Sequence, residues 1–197
     1  MKYKRSALNF QEDGGHAEKL LKMCLNAPEE LRDEVYCQLV KQVSSNPSEE
    51  STLKGWQLFG LCSGGFPPSE DFLPFIMSFC HQHIIDAKTD PKIVEYAKYT
   101  LARVEKSVSL GPRKEIPSAA EIDACKHMDS VLLRVYHMDG SYDIIPATSW
   151  MTGADLNRMM VHLLDIKATE IFAVFELSPI PPKKGTPAGA LPGKLAS

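Results

Sequence analysis

Apolar residues recur at helical spacing from about residue 15 to about residue 110, and the period changes near residue 130. Leu31, Val35, Leu39 and Val43 fall every fourth residue and predict one striped helix face. Asn46-Pro47 closes that helix, because the residue before a proline is pushed out of the helical region. Ser51 or Thr52 opens the next, which carries Trp56, Phe59 and Leu61 and ends at Gly64-Gly65. Pro67-Pro68-Ser69 caps a third, holding Phe72, Leu73, Phe75, Ile76, Phe79 and Cys80, with Pro74 expected to bend or restart it. Upstream, Ala17, Leu20, Leu21, Cys24 and Leu25 predict a helix over about 15–26, and Pro28 with Glu29 and Glu30 suits a helix start. Lys92 to Val108 is the clearest amphipathic stretch. Ile93, Val94, Ala97, Leu101, Val104 and Val108 share one arc, Lys92, Glu95, Arg103 and Lys106 lie opposite, and Tyr96 and Tyr99 stand at the edges. Gly111-Pro112 ends it.

The second part reads differently. Pro117 to Asp123 is a short capped helical turn after a linker. Val131 to Tyr136 is strand-like, Asp139-Gly140 is a hairpin-turn dipeptide, and Tyr142, Ile144 and Ile145 return. Thr152 or Gly153 to Leu164 predicts a helix with Leu156, Met159, Met160, Leu163 and Leu164 apolar. Ile171 to Phe175 predicts another strand, and a Pro/Ala/Gly tail follows that cannot bury a core. The organisation expected is a lead-in at 1–13, a bundle of about six or more helices at 14–115, a linker with a short helical turn at 116–129, an α+β piece at 130–177, and a disordered tail at 178–197. The aromatic residues Trp56, Phe59, Phe72, Phe75 and Phe79 are expected to fill the bundle rather than line a ligand pocket.

Five words in order carry a resemblance: "LRDEVYCQLVKQ", "NP", "GWQLFGLC", "FPPSEDFLPF" and "GPRKEIPSAAEI". Together they resemble the myosin-tail homology 4 (MyTH4) domain, a helical module of certain myosin tails, of the plant calmodulin-binding kinesin and of adaptors without a motor. In that family a FERM domain with a ubiquitin-like first lobe usually follows. Strand, turn, strand, helix, strand resembles the start of such a lobe, of which about the first half is present here. The resemblance implies a mainly α fold, a helical bundle followed by a partial ubiquitin-like segment, and a cytoplasmic, cytoskeleton-associated protein.

Composition narrows the chemistry. The 197 residues are 44% hydrophobic, enough for a packed core, and the formal charge of −3 speaks against a general nucleic-acid binder. No apolar run approaches the roughly 18 residues of a membrane span, and no secretory signal follows the basic start. The odd number of cysteines, without C-x-x-C, predicts buried free thiols in a reducing compartment. No phosphate-cradling loop, G-x-S-x-G or H-E-x-x-H is present, so no enzyme is expected. Cys80-His81-Gln82-His83 lacks a second ligand pair and predicts a buried thiol beside solvated imidazoles rather than a metal site. No cofactor is expected. Cys37 and Cys62 sit among apolar neighbours, a poor setting for a nucleophile. Arg32, Asp33 and Glu34 are expected to form ion pairs that fix helix packing.

Charge distribution carries the functional expectation. Between residues 88 and 114, Lys88, Lys92, Lys98, Arg103, Lys106, Arg113 and Lys114 face three acids, Asp90, Glu95 and Glu105, an excess of +4. Such a patch is either an ordinary solvated face or a surface that docks on an acidic partner. Family members that bind microtubules are thought to use basic residues of this module. The first reading is therefore a non-catalytic interaction module binding microtubules, another cytoskeletal protein or a peptide cargo. The second is a structural brace for a FERM domain missing from this chain.

Overall fold

The structure, a computed structural model, describes residues 10–165 and 173–176. The chain divides into two compact units, residues 1–150 and 151–197. The first contains α1 (Phe10–Leu25), α2 (Glu29–Val43), α3 (Glu49–Ser63), α4 (Leu73–Ile85), α5 (Pro91–Leu110) and α6 (Ala119–Lys126), then an antiparallel hairpin of β1 (Val131–Tyr136) and β2 (Tyr142–Ala147). The second holds α7 (Gly153–Leu163). Five helices thus fall where six or more are expected, and α6 lies in the stretch read as a linker with a short helical turn. Its Ile122 and Cys125 are buried in the bundle core. The first helix begins at Phe10, within the expected lead-in. The expected strand at Ile171–Phe175 lies partly outside the described residues, and the part described, residues 173–176, has no regular structure. The expected tail at 178–197 lies outside them altogether.

Local chemistry sets the boundaries. Ser48 Oγ accepts from the Ser51 N–H, so α3 begins at Glu49, slightly before the expected Ser51 or Thr52. Ser69 O accepts from the Phe72 and Leu73 N–H groups, so Pro74 lands in the first turn of α4. There its missing donor costs nothing, and the helix starts beside this proline, at Leu73, rather than running through it. Asp90 caps α5 through the Lys92 N–H, and Gly111 ends it at a φ of 80°. Gly140, at a φ of 86°, turns the hairpin. In the second unit Thr152 and Asp155 form a reciprocal capping box at the start of α7, and Met160 and Val161 are its buried residues.

The core is built around α3, which packs against α1, α2, α5 and α6, while α4 packs on α5. Trp56 is fully buried. Its ring stacks on Phe59 at 5.5 Å and on Phe79 at 5.8 Å, and Tyr36 meets Phe59 and Phe66 edge-on at 5.8 and 5.6 Å. The Tyr36 hydroxyl donates to the Phe66 carbonyl at 2.7 Å, so this buried phenol is satisfied.

Several expected positions shift. Leu31 is exposed, because steps of four residues overshoot the helical repeat by about 40° each and carry it roughly 120° away from Val43. Tyr36 takes its place inside. Phe75 is 67% exposed, since the core turns of α4 are held by Ile76 and Cys80, and Phe75 leans on Phe72 at 5.8 Å. Val108 is exposed near the end of α5, whereas Tyr96 is buried. The Arg32–Asp33–Glu34 run makes hydrogen bonds rather than ion pairs. Arg32 donates to the Cys24 and Leu25 carbonyls at the end of α1, Asp33 accepts from the Ser69 N–H and hydroxyl, and Glu34 accepts from Gln38. Open backbone groups at a helix end and a turn attract these charges more than one another.

Cys80 is buried as expected, and burial pushes its thiol up to about 12. Burial raises the Cys62 thiol further, with Cys24 and Cys125 adding to it. His81 is exposed, but His83 is not a solvated imidazole. It stands edge-on to Trp56 at 5.2 Å and to Phe79 at 4.7 Å, and its Nε2 is buried without a hydrogen-bond partner. Burial lowers its pKa below the usual 6.5, with the Asp86 charge pulling the other way. The unfolded chain therefore binds this proton more readily, so stability is present above that value and is lost as pH falls below it. Thermal unfolding should shift downward between pH 7.5 and pH 5.5, and His83→Phe should flatten that dependence. An unchanged slope in the variant would refute the assignment.

Candidate interaction face and the buried arginine behind it

The seven basic residues expected to form one patch separate into two groups. Lys88, Lys92, Lys98, Lys106 and Lys114 are exposed. Lys92, Lys98 and Lys106 share an arc of about 120° on the outer side of α5 and span about 21 Å of it. Among the described residues none of the five enters an ion pair, whereas Lys54 and Lys126 do, with Glu50 and Asp123. Asp90, Glu95 and Glu105 are exposed alongside them, so the surface excess is five lysines against three acids.

Arg103 is not part of that surface. It is only 7% exposed, and its Nε donates to the Gly60 carbonyl of α3 at 2.9 Å. A second guanidinium nitrogen donates to the Tyr99 hydroxyl at 3.0 Å. The cation lies 5.1 Å from the centre of the Tyr99 ring and 4.9 Å from that of Trp150. The physical reason is space. A Cβ at Gly64 would collide with the Arg103 guanidinium, and one at Gly60 would meet the Tyr99 ring at 3.1 Å. Gly60 in α3 and Gly64 just past its end therefore open a trough, and a side chain long enough to reach it turns inward. That spacing is the sequence signal that marks Arg103 as an inward residue.

Arg113 is half-buried and also committed. Its guanidinium makes a two-pronged ion pair with Glu121 of α6, and its backbone N–H donates to the Gly65 carbonyl at 2.8 Å. Ser149 donates to the same carboxylate. Burial pushes the Glu121 carboxyl up, but the bonds from Arg113 and Ser149 and the nearby Arg113 and Arg103 charges outweigh it and hold the group below 4.5. Arg103, Arg113, Glu121, Ser149 and Trp150 thus join α3, α5, α6 and the segment after β2 within the first unit.

The family model for the MyTH4 domain matches residues 17–124. The chain belongs to the MyTH4 domain family. This MyTH4 chain is 36% identical over 147 residues to unconventional myosin heavy chain 6 of Caenorhabditis elegans, a match covering 75% of the chain and 7% of that myosin. It is 30% identical over 147 residues to kinesin-like protein KIN-14I of Oryza sativa subsp. japonica, covering 75% of the chain and 12% of the kinesin. It therefore spans a small part of these relatives, which are cytoskeletal motor proteins. Among solved structures, the myosin VII MyTH4-FERM MF1 domain of Dictyostelium discoideum matches with a TM-score of 0.72 at 23% identity, covering 83% of this chain and 32% of that one. The C-terminal MyTH4-FERM domain of human myosin 7b, solved in complex with the harmonin-a PDZ3 domain, matches with a TM-score of 0.66 at 25% identity, covering 84% and 32%. The mainly helical MyTH4-FERM fold expected from the sequence is the one observed.

Two expectations test the buried group. Arg103→Met removes the guanidinium bonds to the Gly60 carbonyl and the Tyr99 hydroxyl and its contacts with the Tyr99 and Trp150 rings, and should cost about 2–4 kcal/mol in urea unfolding, while Lys98→Met should change stability by less than about 0.5 kcal/mol. Equal effects would place both side chains at the surface. Glu121 has a lowered pKa, so its contribution is full above 4.5 and is lost as pH falls through its folded value. Glu121→Gln should weaken the protein at pH 7 and flatten the acid limb of its stability profile below about pH 5. An acid limb of unchanged steepness would count against the pairing.

Proposed function

We propose that this MyTH4 chain is a non-catalytic interaction module whose exposed lysine face docks on an acidic cytoskeletal surface, with the microtubule lattice as the partner. The observation that carries the reading is the set of five exposed lysines that enter no ion pair among the described residues, three of them aligned along the outer side of α5. A rigid helix sets their spacing, so an acidic lattice meets a fixed row of charges rather than a flexible tail. The kinesin-like relative supports a microtubule partner. Arg103 and Arg113 leave the docking set and instead hold the face rigid from behind. Charges at such a rim govern encounter rate and salt sensitivity more than final packing.

The brace reading has its own support. The Arg113–Glu121–Ser149 connection ties the segment after β2 to the helical bundle, as a spacer for a following lobe requires.

The experiment is co-sedimentation of the full chain with polymerised tubulin across a salt series, with actin filaments as a comparison. Lys92→Glu, Lys98→Glu and Lys106→Glu combined should weaken microtubule binding about tenfold or more at low salt and flatten its salt dependence. Arg103 stays intact, since reversing a buried charge would unfold the chain and mimic a loss of binding. Microtubule binding that survives the triple reversal, or no microtubule binding by the parent chain, removes the reading and leaves the brace.

A further inference from the structure

The hairpin shows a second surface, separate from the lysine face. Its strands pair Leu132 with Pro146, Arg134 with Ile144 and Tyr136 with Tyr142, and directly paired residues in an antiparallel ladder share a face. All six are exposed, Leu132 at 67% and Ile144 at 55%. A half-covered hairpin normally turns its polar side outward. Here the other face already holds the buried Ile145 and Ala147, and the outward face is apolar and aromatic as well.

Its one charge is held in place. The Arg134 guanidinium lies 4.8 Å from the centre of the Tyr142 ring, and the Tyr136 and Tyr142 rings stand 5.8 Å apart. Among the described residues Arg134 enters no ion pair. The hairpin's two carboxylates are occupied elsewhere: Asp143, on the opposite face, bonds His137 at 2.8 Å, and Asp139 in the turn accepts from Ser141. The face therefore offers an unneutralised cation, fixed by aromatic rings and flanked by apolar side chains. Arginine and tyrosine are the residue types that dominate binding energy at protein interfaces.

We propose that this hairpin face binds an extended acidic segment of a partner protein, its carboxylate on Arg134 and its flanking apolar side chains on Leu132 and Ile144. Charge selects the acid, because no local carboxylate competes for the guanidinium. Spacing selects an extended segment. Leu132, Arg134 and Tyr136 recur about every 6.8 Å along β1, the interval between same-side residues of another strand.

The test uses the full chain as bait for a phage-displayed library of random twelve-residue peptides. Enriched peptides should carry Asp or Glu flanked by apolar residues. Their synthetic forms should lose about tenfold or more in affinity, roughly one charged contact, against Arg134→Gln and against Ile144→Ser. They should keep their affinity for the triple lysine variant, which separates this face from the microtubule reading. Both hairpin side chains are exposed, and an unchanged circular-dichroism melt confirms that the variants fold. No enrichment, enrichment of basic or uncharged peptides, or equal binding by Arg134→Gln would overturn the proposal. So would self-association of the chain that Ile144→Ser abolishes, which would make a second copy the occupant.

Discussion

The fold depends on how closely neighbouring helices can approach α3. Four helices surround it, and a helix so enclosed cannot carry bulky side chains all round. Gly55 gives way to Val43 of α2, whose Cγ1 lies 2.7 Å from where a Cβ would stand, and Gly60 gives way to Tyr99 of α5. Trp56 and Phe59 take the gaps between those contacts. Removing the small positions would separate the helices and expose the aromatic stack, so backbone proximity and aromatic burial are one constraint.

Arg103 follows from the same constraint. A trough deep enough to seat a guanidinium leaves room for a second donor at the Gly60 carbonyl, which already accepts from the Gly64 N–H at 3.2 Å. Arginine supplies it along with a planar cation for the Tyr99 and Trp150 rings. Lysine would bring a compact, strongly hydrated charge that fits neither demand. The division between inward arginines and outward lysines around α5 is therefore chemical. Guanidinium groups fasten the domain, and ammonium groups face solvent, where hydration suits them.

Much of this was legible in the chain. Proline, glycine and capping residues marked the helix ends to within a few positions, and the family words located the bundle. Two of the errors share one cause. Counting apolar residues along a helix assigns every charge to the outside and every fourth residue to the same face. Arg103 fails the first assumption because Gly64 makes room for its guanidinium. Leu31 fails the second because the repeat drifts. The short helical turn expected within 116–129 extends to Lys126, and Ile122 and Cys125 are only two apolar anchors on it, too few to show a period. A contact between distant segments, such as Glu121 with Arg113 and Ser149, leaves no local pattern to read.

That last contact bears on how the hairpin persists. An isolated two-stranded sheet is marginal in water, and this one exposes apolar side chains on its outward face. Its other face buries Ile145 and Ala147, and the chain leaving β2 is fastened through Ser149 to Glu121 and through Trp150 to Arg103. The hairpin therefore draws stability from a polar junction whose other members belong to the bundle. Weakening Glu121 should loosen the hairpin before it loosens α3, because the aromatic stack around Trp56 does not pass through that carboxylate. Such an ordering of local stability lets the outward hairpin face stay apolar without being the element on which the fold relies.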